Sequence, residues 1–232
     1  MARHRHRVKV ATLSERMELS AAEFKHLAVM RLNVGDRVDV FDGSGEAGEA
    51  ELIHLDTFSA ALRLLSRQDS AAEYPQPVTL AIALLKGDKL SDVVRAGTEL
   101  GVSTFQLLRT RYADVPDIGD SKLTRLRRVA EEAAKQSQRA VVPGVLAPLP
   151  LSALSAAGQC FYAHPGSPGK LLEQVTWTSA LTLISGPEGG FAPEDLAQLS
   201  RLGATPITLG PRILRAETAP LALLGALAAS GV

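Results

Sequence analysis

Glycine and proline, set around a few charged side chains, mark where this 232-residue chain could do chemistry. Two segments concentrate them: Ser185-Gly186-Pro187-Glu188-Gly189-Gly190-Phe191, and Leu209-Gly210-Pro211-Arg212-Ile213-Leu214-Arg215-Ala216-Glu217-Thr218-Ala219. Each follows a short apolar run and precedes a helical pattern, the place where α/β proteins bind ligands. Glycine lets a backbone approach a bound molecule closely and take φ > 0, so that amides and carbonyls do the recognising. Two such loops about twenty residues apart suggest a small-molecule cofactor held by main chain.

Other chemistries lack their residues. There is no Walker A pattern, no G-x-G-x-x-G after a strand and no G-x-S-x-G elbow; Gly43-Ser44-Gly45 reads as a turn. His4, His6, His26, His54 and His164 have no metal-ligand spacing, so no metal is expected. A single cysteine, Cys160, excludes an internal disulfide and reads as a buried thiol in a reducing compartment. No apolar run reaches the roughly 18 residues of a membrane helix, and no apolar signal core opens the chain. A cytoplasmic protein without a membrane partner is the expectation.

The elements that must carry the loops follow from pattern. Residues 1–70 read as a small β-rich domain, with a strand at Arg37–Val40 between turn signals, another at Ala60–Leu65 and a helix near Ala21–Met30. Ser66–Pro77, polar and closed by two prolines, reads as the linker into a second domain, 71–232. There Val78–Leu85 is a near-continuous apolar run, as for a strand covered on both faces. Asp88–Leu100 and Lys122–Ala140 have helical spacing, with Ser121 as a cap for the second. Strands are expected at Thr104–Leu108, Phe161–Ala163, Leu181–Ser185 and Pro206–Leu209, with a helix over Pro193–Leu202. A packed helix over Pro220–Val232 closes the chain. The alternation predicts an α/β fold with a mostly parallel sheet.

Hydrophobic residues make up 46% of the chain and the formal net charge is zero, so the distribution of charge matters more than its sum. Arg3, Arg5, Arg7 and Lys9 form an N-terminal basic cluster without an acid. Between Arg109 and Arg139, basic and acidic residues interleave, with pairs such as Arg128–Glu132 and Glu131–Lys135 at helical spacing.

The pattern of GPEGGF after a strand, followed by LGPRILRAETA, resembles the SPOUT class of RNA methyltransferases. More narrowly, the chain resembles the RsmE-type family that methylates N3 of a uridine in small-subunit ribosomal RNA. Leu84–Lys89, Thr98-Glu99-Leu100-Gly101-Val102, Arg111, Ala134-Lys135-Gln136-Ser137-Gln138-Arg139 and His164-Pro165 match in order. Arg31, Gly35-Asp36 and Phe41-Asp42-Gly43 match the family's PUA-like RNA-binding domain.

The resemblance implies a trefoil-knotted C-terminal domain and a homodimer, acting on 16S ribosomal RNA in the small ribosomal subunit. It implies S-adenosyl-L-methionine bound by Ser185, Gly186, Pro187, Glu188, Gly189, Gly190, Leu209, Gly210, Ile213, Leu214, Thr218 and Ala219. Arg215 would stabilise the uridine anion, with Glu217 orienting Arg215, acting as base or capping the next helix. Arg3, Arg5, Arg7, Arg31, Lys86, Arg111 and Arg139 would contact the RNA. Alternatives are a SPOUT enzyme acting on a ribose 2′-hydroxyl or another base, a non-catalytic RNA-binding assembly factor, and a nucleotide-binding metabolic enzyme. The last is disfavoured by the missing phosphate cradle.

Overall fold

The computed structural model describes residues 6–21, 23, 24, 27, 32–68 and 73–229, which form two compact units. The first holds residues up to Glu73 together with Ala134–Val142; the second holds Tyr74–Ala133 and Pro143 onward. Among the described residues no helix is long and apolar enough to cross a membrane.

The first unit is a five-stranded sheet of β1 (Arg7–Lys9), β2 (Arg16–Glu18), β3 (Arg37–Phe41), β4 (Ala47–Leu55) and β5 (Ala60–Gln68), in the order β1-β3-β4-β5-β2. β1 runs parallel to β3, while the other pairings are antiparallel. Alternating residues build its core, including Val8, Val38, Val40, Leu52 and Leu62. The helix expected near Ala21–Met30 lies largely outside the described residues.

A later stretch of chain completes this unit. The Arg139 guanidinium is 2% exposed and grips Glu73 with two bonds, Nε to Oε1 at 3.1 Å and Nη2 to Oε2 at 2.5 Å. The Val142 amide donates to Gly43 O at 2.9 Å, and Lys135 pairs with Glu23. A charge is tolerated in such burial only when it is paired and hydrogen-bonded.

The second unit is built on β6 (Val78–Ala83), β7 (Thr104–Arg109), β8 (Gly144–Pro150), β9 (Gln159–Ala163), β10 (Leu181–Ser185) and β11 (Thr205–Ile207). Their order is β11-β9-β10-β6-β7-β8, and every pairing is parallel. Among the described residues four α-helices accompany them: α1 (Lys89–Glu99), α2 (Asp120–Gln136), α3 (Pro193–Arg201) and α4 (Thr218–Ala228).

The continuous apolar runs have a simple cause, since both sheet faces are covered. Leu80 and Ile82 of β6, Leu183 of β10 and Phe161 of β9 join one core with Leu90, Val93, Leu126 and Leu224. Ala81, Ile184, Cys160 and Tyr162 point the other way and pack with Leu199 of α3. Burial pushes the Cys160 thiol up to about 11, which makes it unreactive.

Two expectations are corrected, and one strand is new. α2 starts at Asp120, so Ser121 lies inside the helix and is not its cap, and it stops at Gln136. Gln138 then takes φ 61° and turns the chain inward. β8 was not foreseen, because Pro148 and Pro150 disfavour a ladder strand. They are tolerated because β8 is an edge, paired only with β7. The register slips where Pro148 lacks its N–H, and the buried Gln106 amide donates to Ala147 O at 3.0 Å.

Candidate functional site

The carboxyl ends of β6, β9, β10 and β11 all open on one side of the sheet. From β6 the chain proceeds to β7, whereas β10 lies on the other side of β6. Such a reversal leaves a crevice above the strand ends. A cavity of about 660 Å³ occupies this side, within the roughly 300–1,000 Å³ range of small-molecule sites.

Backbone turns shape its wall. After β10, the Gly190 amide donates to Pro187 O at 2.9 Å, and Gly190 closes the turn at φ 72°, which a side chain would strain. After β9, the His164 amide donates to Ile207 O at 3.0 Å, holding His164 and Pro165 against β11. After β11, the Gly210 amide donates to Thr208 Oγ1 at 3.2 Å, and the chain runs on through Ile213 and Leu214 to α4. Both the Thr218 and Ala219 amides donate to Arg215 O. Pro220 falls in the first turn of α4, where proline is tolerated.

All the loop residues suggested for a cofactor line the cavity except two. Gly189 lies behind the wall: a Cβ there would come within 2.9 Å of Tyr112 Cβ. Thr218 belongs to the first turn of α4. Arg215 and Glu217 are both on the wall, and Ile213 is 89% exposed there.

The electrostatic centre is a residue the sequence reading did not single out. Lys89, the first residue of α1, donates from Nζ to Glu188 Oε1 at 2.9 Å and stands 3.3 Å from Glu217 Oε2. The Lys86 amide also donates to Glu188 Oε1 at 3.3 Å. The bond to Glu188 leads in holding the Lys89 ammonium above its ordinary value. Burial pushes the Glu188 carboxyl up, but Lys89 and the Glu188 and Lys86 amides outweigh it, leaving it below the usual carboxylate range. Glu217 is also held low, first by its own amide, then by Lys89 and the charge of Arg215. A carboxylate so stabilised is a weak proton acceptor. No side-chain bond from Glu217 caps α4. His164 also joins the wall. The signal for Lys89 and His164 was that each follows a strand end; that those ends meet depends on strand order.

The basic residues proposed for RNA divide. Arg111 is exposed, its amide fastened to Asp195 Oδ2 at 3.2 Å, and Lys86 is exposed and paired with Asp114 at 2.9 Å. Arg139 is corrected: buried on Glu73, it holds the first unit together and offers no surface to a phosphate. Arg7 is half-buried. Its Nη2 donates to Arg139 O at 2.9 Å and its guanidinium lies 4.8 Å from the Phe41 ring centre, with burial lowering its pKa. Arg3, Arg5 and Arg31 lie outside the described residues. Among the described residues no cluster of three His, Cys, Asp or Glu side chains could hold a metal ion.

Residues 72–228 match the family model for an RNA methyltransferase domain, and residues 19–65 the model for an RNA methyltransferase PUA domain. The chain is 38% identical over 216 residues to ribosomal RNA small subunit methyltransferase E of Synechocystis, spanning 89% of this chain and 70% of that protein. It is 30% identical over 226 residues to the Bacillus subtilis protein of the same name, spanning 90% and 88%. The crystal structure of a ribosomal RNA small subunit methyltransferase E from Neisseria gonorrhoeae, bound to S-adenosyl methionine, superposes with a TM-score of 0.88 over 97% of each chain at 28% identity.

Proposed function

This chain belongs to the ribosomal RNA small subunit methyltransferase E family, and from that premise we propose that it methylates N3 of one uridine in 16S ribosomal RNA with S-adenosyl-L-methionine as donor. It is an S-adenosylmethionine-dependent RNA methyltransferase of the SPOUT fold with a PUA-like domain. The observation that carries the reading is the convergence of the loops after β9, β10 and β11 on one cavity with Arg215 on its wall.

The residues fit the donor. The cavity has ample volume for it, and its wall combines turn backbone with the apolar Ile213 and Leu214, suited to flank a flat base. Ser185–Gly190 and Leu209–Ala219 would hold the molecule. When bound, it supplies a methyl group already activated by a sulfonium centre.

The chain's task is then to position and to stabilise charge. N3 lies on the Watson–Crick edge, so the uridine enters unpaired or flipped from its stack. Its N3 proton passes to water, the resulting anion spreads charge onto the flanking carbonyl oxygens, and the Arg215 guanidinium neutralises that charge. Glu217, a weak base in its ion pair, sets the field around Arg215 and serves as a positioning residue. Lys86 and Arg111 reach toward RNA phosphates.

The same reading takes the final loops as a trefoil knot and places a second copy against them as a homodimer in the cytoplasm. The 89% exposure of Ile213 supports a partner there. Light scattering of the purified protein tests the dimer. Incubation with labelled donor and small subunits lacking the modification, followed by nucleoside analysis, tests the reaction. 3-Methyluridine is expected. Label on a ribose or another base would move the activity elsewhere in the SPOUT class, and no incorporation would indicate an assembly factor.

A further inference from the structure

We propose that Lys89 is a positioning residue whose charge holds the two cofactor-gripping loops at their working separation, an inference that rests on the S-adenosylmethionine reading of the cavity. Glu188 sits on the loop after β10, and Glu217 sits at the end of the loop after β11. β10 and β11 are not neighbours, because β9 lies between them. No ladder therefore ties one loop to the other.

Lys89 reaches both from a third strand end. It arrives after β6, whose Ile82 pairs with Ser185 at the end of β10. Its Nζ lies 2.9 Å from Glu188 Oε1 and 3.3 Å from Glu217 Oε2. Glu217 Oε2 is shielded from solvent and faces the ammonium at 3.3 Å. Glu188 has the Lys86 amide besides. Two carboxylates gathered on one cation repel each other once it is gone. The loops would part, and contacts made by backbone tolerate little displacement.

Calorimetric titration with S-adenosylmethionine tests this on the full chain and the variants Lys89→Met, Lys89→Arg and K89M/E217Q, with thermal melts as the check on folding. Lys89→Met is expected to raise Kd about tenfold, the scale of a typical coupling between sites. Lys89→Arg should stay within about threefold of the unsubstituted protein, because it keeps the cation. K89M/E217Q should recover most of the lost affinity, because the repelling pair is gone. Unchanged binding by Lys89→Met, or a double variant no better than Lys89→Met, overturns the proposal; the second result would mean direct contact with the cofactor. Absence of binding by the unsubstituted protein overturns the cofactor reading, and the strut with it.

Discussion

Gly189 allows the cofactor loop to be pushed from behind without altering the cavity wall. Alanine there would place its Cβ 2.9 Å from Tyr112 Cβ and 3.2 Å from Tyr112 O. Comfortable carbon contacts lie at about 3.5–4.0 Å. Neither Tyr112 atom is the free end of a side chain, so no rotamer change relieves the clash. The tyrosine's own segment is fastened too, through the Arg111 amide on Asp195 and the Ala192 amide on the same oxygen. The loop itself must therefore give by several tenths of an ångström. Overpacking of this kind costs about 1–3 kcal/mol. If the loop has to return to its place to grip the cofactor, that cost appears in binding, where about 1.4 kcal/mol is a factor of ten. Gly189→Ala should then raise the S-adenosylmethionine Kd about 5- to 150-fold, read by calorimetry. Adding Tyr112→Gly removes the closer contact and should restore part of the affinity. Unsubstituted affinity in Gly189→Ala, or no recovery in the double variant, would refute the steric argument.

Glu73→Ala strips the buried Arg139 guanidinium of its partner and should cost about 3–5 kcal/mol of stability, measured by urea denaturation followed through the first unit. A loss below about 1 kcal/mol would place that pair among the dispensable ones. Arg111→Ala should weaken RNA binding and lower the slope of log affinity against log salt by about one, with cofactor affinity unchanged; an unaltered slope removes Arg111 from the RNA track. The folded-state values of Glu188 and Glu217 are depressed, so what they contribute is fully present above the unfolded glutamate value of about 4.3 and is lost as pH falls through their lower folded values. Cofactor affinity should hold from neutral pH down to about 4.5. A decline centred near pH 6 would put a histidine in control instead.

The two cofactor loops were legible because glycine and proline act locally: they restrict or free φ wherever they stand, whatever surrounds them. Lys89 was not, because its role needs β6, β10 and β11 to be brought together, and strand order is set by packing across the whole sheet. Arg139 was misread for a different reason. Continuing the helix to Ala140 keeps it on the same solvated helix as Arg128, whereas the turn at Gln138 sends it into the first unit. β8 was missed because its prolines speak against a strand unless it is known to lie at the border of the sheet. The continuous hydrophobicity of Val78–Leu85, by contrast, announced a strand covered on both sides, and β6 is that strand.

Both borders of the six-stranded sheet carry imino acids: Pro148 and Pro150 on β8, Pro206 on β11. Proline at a rim disfavours pairing with an incoming strand, so neither rim is a good template for edge-to-edge growth. Two molecules brought together at high concentration are thereby steered away from fibril-like stacking. Around this sheet, contact with another molecule is left to the flanking helices and loops, where specificity can be written in side chains.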